Sequence, residues 1–161
     1  MIRFITQFGV AAMLLLFSTA VAWYEGSAIL DNPWEWRYST PFTQLINGGV
    51  SYHSDISQLD YFIDASKFQP VFPIIMILSS LYILILIGFY SLKQMKKWFS
   101  YYLSVLGGGL LLFSYFTFNS STIGGRILFS LFIICGSLCV TTAIIIYFQI
   151  LVRIRLLKAK V

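Results

Sequence analysis

Residues 71–90 read VFPIIMILSSLYILILIGFY, twenty residues without one Asp, Glu, Lys, Arg or His. A helix rises about 1.5 Å per residue, so a run of this length covers the roughly 30 Å hydrocarbon core of a bilayer. Residues 4–23, 99–118 and 127–152 are equally free of these five residue types. The last of these is longer and can tilt or extend past the core. Composition agrees: 58% of the chain is hydrophobic and 11% charged, with a mean hydropathy of +0.82. A soluble domain needs about a quarter of its residues charged to cover its surface. The fold class expected is therefore an all-α integral membrane protein, one membrane domain over residues 1–161. Short connections at 93–97 and 119–126 force antiparallel neighbours, which makes an antiparallel four-helix transmembrane bundle the natural architecture.

Charge sets the expected orientation. All six acids, Glu25, Asp31, Glu35, Asp55, Asp60 and Asp64, lie between the first two runs. With both termini cytoplasmic, the inner side holds Arg3, Lys93, Lys96, Lys97, Arg153, Arg155, Lys158 and Lys160, and the outer side only Arg37, Lys67 and Arg126. Eight basic residues against three follow the positive-inside rule. The chain is thus expected in the plasma membrane, multi-pass, with loop 24–69 extracytoplasmic. A pI near 9.3 reads as contact with anionic lipid headgroups. No nucleic-acid-binding signature accompanies it. The amino terminus carries a competing signal, because Arg3, an apolar stretch and Ala20-Val21-Ala22 resemble a cleavable secretory leader. The run is longer than a typical leader core, so we read it as a retained helix; either way the loop emerges outside.

That loop is the one segment long enough to fold outside the membrane, and at 46 residues without Cys it is too small for a strong core of its own. Trp34, Trp36 and Tyr38 alternate with Glu35 and Arg37, a period-two pattern that predicts a short strand or hairpin with one aromatic face. After the turn signal Asn47-Gly48-Gly49, Ser54 is placed to cap a short helix carrying Ile56, Leu59 and Ile63 on one stripe. On that helix Asp60 and Asp64 are one turn apart, Lys67 can pair with Asp64, and the three read as a solvated face. Pro70 and Pro73 suit the start of the second span.

No span carries the buried charge that ion-coupled transport usually needs. Cys135 and Cys139, four apart on one helix face, read as small packing residues rather than a redox or metal pair. Gly107-Gly108-Gly109 reads as a groove for close helix contact, with a hinge or lipid site as the alternative. His53 is the single histidine, and a metal site would need Asp55, Asp60 or Asp64 to converge on it. Neither a catalytic residue, a metal ligand nor a cofactor is expected, and the chain does not read as an enzyme. Trp23, Tyr24, Trp34, Trp36, Tyr38 and Phe42 form the feature of most interest. Interface anchoring accounts for part of this group, and a partner surface or an internal lid core for the rest. The residues expected to bind a partner are Trp34, Trp36, Arg37 and Tyr38. An accessory or scaffold role toward a membrane or envelope protein is the first reading. The alternative is a lipid or amphiphile handler with a pocket between helices and outer loop.

The segments Trp23-Tyr24-Glu25-Gly26-Ser27, Pro33-Trp34-Glu35-Trp36, Ser39-Thr40-Pro41-Phe42 and Asp55-Ile56-Ser57-Gln58-Leu59-Asp60-Tyr61-Phe62 resemble a family of small Bacillus membrane proteins of unknown function. The likeness covers the first helix, the loop and the start of the second helix. It implies a bacterial plasma-membrane location and no chemistry. Four spans with a large first outer loop are also similar to the claudin architecture, without that group's paired loop cysteines.

Overall fold

The structure, a computed structural model, describes residues 2–50, 52–118 and 120–158. Residue 119 of the third connection and Lys160 of the basic set lie outside the described residues. Seven α-helices follow one another among the described residues: α1 (Ile2–Gly26), α2 (Trp36–Ser39), α3 (Pro41–Asn47), α4 (Gln58–Phe68), α5 (Val71–Ser91), α6 (Lys96–Thr117) and α7 (Ile123–Lys158). Helical turns at Ser27–Asp31 and His53–Asp55 complete the order. Among the described residues four helices are long and apolar enough to cross a membrane: α1 with the turn that extends it, α5, α6 and, over Ile123–Ile150, α7.

Helix ends fall where local chemistry allows. Pro70 has no amide hydrogen to continue α4, so the chain breaks there, and Ile74 N–H restarts the ladder on Pro70 O at 2.9 Å. The last helix begins at Ile123, ahead of the uncharged run at 127, because Thr122 caps it. Gly125 N–H donates to Thr122 Oγ1 at 3.2 Å and Arg126 N–H to Thr122 O at 3.2 Å. By contrast α6 opens on Lys96 and Lys97 with no acid in its first turn and no side-chain cap, the reverse of what the helix macrodipole favours.

The chain divides into two compact units, residues 1–81 with 120–128, and residues 82–119 with 129–161. In the first, α1 runs antiparallel to the chain that returns through α4 and α5. Phe17 meets Phe72 edge-on at 6.1 Å and Trp23 meets Tyr61 at 6.3 Å between ring centroids. Gly26 lies directly against the backbone of α4, where a Cβ would stand 1.8 Å from Tyr61 O. In the second unit, α6 runs antiparallel to α7, as Ser100 Oγ donating to Ala143 O at 2.7 Å and the Phe113–Phe132 ring contact show. Gly107 faces Gly136 and Cys139 across that pair, while nothing stands within 4 Å of a Cβ on Gly108 or Gly109. The triple glycine thus supplies one contact position rather than a groove. Tyr102 OH donates to Leu84 O at 3.0 Å, tying α5 to α6 within the same unit.

The strand expected at Trp34–Tyr38 is absent; the described residues contain no strand. Glu35 N–H donates to Asn32 O, Trp36 N–H to Pro33 O, and both Tyr38 and Ser39 N–H to Glu35 O, so the segment closes on itself as turn and helix. Five alternating residues with no neighbouring strand to pair with leave the amides to local partners. The helix expected to start at Ser54 starts later, capped by Ser57 Oγ, which accepts Leu59 N–H at 3.3 Å. Ser54 and Asp55 belong instead to the preceding turn, where Asp55 Oδ2 accepts Tyr52 N–H at 2.9 Å.

Candidate functional site: a loop subdomain with its polar face inward

Around α2, α3 and α4 the loop buries polar side chains and exposes apolar ones, while Ile29 and Ile56 are buried in the ordinary way. Ser39, Thr40, Thr43, Asp60 and Asp64 are buried, and Asp60 has no solvent-exposed surface. Trp34, Tyr38, Leu45 and Ile46 are 89%, 68%, 84% and 73% exposed. The expectation of a solvated acidic stripe on α4 is therefore overturned, because Asp60 and Asp64 face the protein and Leu59 of the expected apolar stripe faces out.

Asp60 explains how this is stable. Its Oδ1 accepts Phe42 N–H at 2.9 Å, and its Oδ2 accepts Thr43 N–H at 3.0 Å and the Thr43 hydroxyl at 2.5 Å. Thr43 Oγ1 in turn accepts Ser57 N–H at 2.8 Å. The first amides of a helix have no partners within it, so a carboxylate from α4 supplies what the sequence of α3 lacks, and its charge suits the positive helix end. Pro41 at the first position of α3 has no amide to satisfy.

Two turns along α4 lies a second cluster. Lys67 Nζ donates to Tyr38 O at 2.6 Å and to Ser39 Oγ at 3.1 Å, and Ser39 Oγ donates to Glu35 Oε2 at 3.3 Å. Lys67 thus spends its hydrogen bonds on α2, and its charge acts on Asp64 through space. Burial pushes the Asp64 carboxyl up and nearby Glu35 adds to this, while the Ser39 hydroxyl and Lys67 pull it back only in part. Burial likewise pushes Lys67 down, against Glu35 and Asp64. Asp64 Oδ1 and Glu25 Oε2 are buried without a hydrogen-bond partner among the described residues.

These shifts predict a pH dependence. The folded loop holds the Asp64 proton more tightly than the unfolded chain, so this group's contribution is complete below its ordinary value of 3.8 and is lost as pH rises through the raised one. Lys67 has the opposite order: its cost is present below its lowered value and is relieved as pH rises toward 10.5. Asp64→Asn should therefore leave the loop as stable or more stable at neutral pH and flatten its acid-side slope. Hydrogen exchange of the α2 and α3 amides across about pH 4 to 7 measures this. An undiminished slope in the variant would assign the titration elsewhere.

The four residues expected to bind a partner are not equivalent. Trp34, Arg37 and Tyr38 are exposed, whereas Trp36 is half-buried, donates from Nε1 to Ile29 O at 2.9 Å and meets His53 edge-on at 5.0 Å. Trp36 and Arg37 line an open cleft of about 380 Å³ with Pro33, Gln44, Gly48, Gly49 and Val50. Gly48 adopts φ 74°, a left-handed conformation that ends α3 and shapes this cleft. His53 and the loop carboxylates do not converge. Among the described residues no three His, Cys, Asp or Glu side chains gather where they could hold a metal ion.

A family described as a domain of unknown function, DUF4306, matches residues 5–92. The chain belongs to that family. The DUF4306 match takes in α1 through α5 and every residue of the polar network, and stops short of α6 and α7. The chain is also similar to the uncharacterized protein YjdJ of Bacillus subtilis (strain 168), 39% identical over 97 residues, which cover 58% of this chain and 89% of YjdJ. No solved structure matches. The resemblance to small Bacillus proteins read from the loop segments is thus the family relationship itself. The roles of Asp60, Thr43 and Lys67 in the polar network are not legible in the sequence.

Proposed function

We propose that this protein is a non-enzymatic, four-span plasma-membrane protein with both termini cytoplasmic and residues 24–69 outside. It acts as an accessory or scaffold subunit for a membrane or envelope protein. The observation that carries this reading is the polarity of the loop around α2 and α3: Ser39, Thr43 and Asp60 are used internally while Trp34, Tyr38, Leu45 and Ile46 are presented outward. Exposed Trp and Tyr beside an exposed Arg37 have the composition of binding hot spots. Trp36 supports the surface from behind through its bond to Ile29 O. The alternative of an amphiphile handler asks for a deep apolar cavity beneath Trp34–Tyr38. The side chains there are Ser39, Asp64 and Lys67, and the neighbouring cleft is lined by loop residues alone, which favours the first reading.

The test is purification of the full chain from its native membrane in mild detergent, comparing proteins retained by wild type and by a Trp34→Ala, Tyr38→Ala double variant. Both side chains are exposed, so insertion and helicity should be unchanged. Loss of two hot-spot side chains should reduce retention of a specific partner by roughly tenfold or more. Equal retention by both proteins would remove the loop from the interaction.

A further inference from the structure

A second site lies in the unit formed by residues 82–119 and 129–161, at the connection from α5 to α6. Phe89, Leu92, Phe99 and Ile146 supply the apolar lining of an open cavity of about 380 Å³, and the exposed Lys93, Lys96 and Gln149 supply its polar lining. Phe89 and Phe99 meet in an edge-on ring contact at 5.8 Å.

Charge accounting identifies what such a cavity would take. This unit carries Lys93, Lys96, Lys97, Arg153, Arg155, Lys158 and Lys160 and contains no Asp or Glu at all. No carboxylate of its own unit can neutralise the two lining lysines. Concentrated cationic charge without an internal counterion favours an anion, and the field at the uncapped start of α6 has the same sign. A small hydrated anion would leave the aromatic and aliphatic lining in water. A ligand with an anionic head and apolar chains satisfies both halves, and the volume lies in the range of small-molecule sites.

We infer that the cavity bounded by Phe89, Lys93, Lys96, Phe99 and Ile146 is a binding site for one anionic phospholipid, its phosphate between the two lysines and its chains along the apolar lining. The site rests on the membrane reading above but not on the outer loop, so loss of partner retention would leave it untouched. On the expected orientation it faces the cytoplasmic leaflet.

The experiment uses full-length protein in mild detergent titrated with phosphatidylglycerol or phosphatidylcholine, with bound lipids per chain counted by native mass spectrometry. One phosphatidylglycerol should remain bound under conditions that strip phosphatidylcholine. Lys93→Gln with Lys96→Gln should weaken it roughly tenfold or more, whereas Lys97→Gln, which removes one neighbouring charge without touching the lining, should change it by less than about twofold. Ile146→Trp keeps both lysines and crowds the apolar lining; it too should weaken binding. Equal binding of both lipids would overturn the site. So would a loss in Lys97→Gln as large as in the double variant, which would reduce the effect to diffuse surface charge. Displacement by inorganic phosphate, with Ile146→Trp binding normally, would replace the lipid by a free anion. Unchanged helicity and melting behaviour in each variant separate these outcomes from misfolding.

Discussion

Asp60→Ala should detach α2 and α3 from α4 while leaving the long helices in place. The carboxylate accepts Phe42 N–H, Thr43 N–H and the Thr43 hydroxyl from a position with no exposed surface. Alanine would leave those three donors without their acceptor in the interior. Each buried donor stranded in this way costs about 1–3 kcal/mol, and more where the lost acceptor was charged. A loop of 46 residues with no disulfide has little stability in reserve, so a loss of about 3 kcal/mol or more should open it. Hydrogen exchange at Phe42 and Thr43 and protease cleavage between residues 33 and 57 should rise sharply. Asp60→Asn, which retains one acceptor oxygen, should fall between the two. Equal protection in Asp60→Ala and wild type would mean that the carboxylate does not hold α3.

Gly26→Ala should have an effect of similar size for a steric reason. A Cβ at this position would lie 1.8 Å from Tyr61 O, 2.5 Å from Tyr61 C and 2.9 Å from Tyr61 Cα. All three are backbone atoms, so no rotamer change relieves the overlap and α1 must move away from α4. Overpacking of this kind costs about 1–3 kcal/mol where side chains can adjust, and more where backbone must shift. The Trp23–Tyr61 ring contact and the burial of Ala22 and Ala65 would be lost with it. Gly9→Ala on the same helix is the matched control, since nothing stands within 4 Å of its Cβ, and it should be neutral or stabilise by up to about 1 kcal/mol. Thermal unfolding in detergent compares the two. Indistinguishable melting would show that α1 and α4 do not approach as closely as the fold requires.

Both results bear on function, because α4 connects the two ends of the loop's architecture. Its residues Asp60 and Lys67 hold α3 and α2, which carry Tyr38, Leu45 and Ile46 outward, with Trp34 in the turn that leads into α2. Gly124 also lies against α4, with a Cβ there 2.2 Å from Ser66 O and 2.6 Å from Lys67 O. On the proposed accessory role, partner retention should therefore respond to Asp60→Ala even though Asp60 is inaccessible. A buried residue acting this way is distinguished from a contact residue by recovery in Asp60→Asn, which restores part of the cap without restoring charge.

The chain alone determined the helices long enough for a membrane, most of their boundaries to within a few residues, and the separation of acidic from basic segments; the end of α7, at Lys158 rather than 152, is the exception. Each depends on a quantity summed along the sequence: hydropathy over about 20 residues, or the count of charges between two runs. The family likeness was legible in the loop segments because it rests on residue identity along the chain. The loop was not legible locally. Alternation at Trp34–Tyr38 fits a strand only if a neighbouring strand exists to receive its amides, and the described residues provide none. The acids of α4 look solvent-facing because burying a carboxylate is costly. What makes burial of Asp60 tolerable is the amide end of α3, 17 residues away, whose position no window of sequence reports. Tertiary structure decided which face of the loop is polar, because hydrogen bonds between α3 and α4 offset a desolvation cost that neither helix could meet alone.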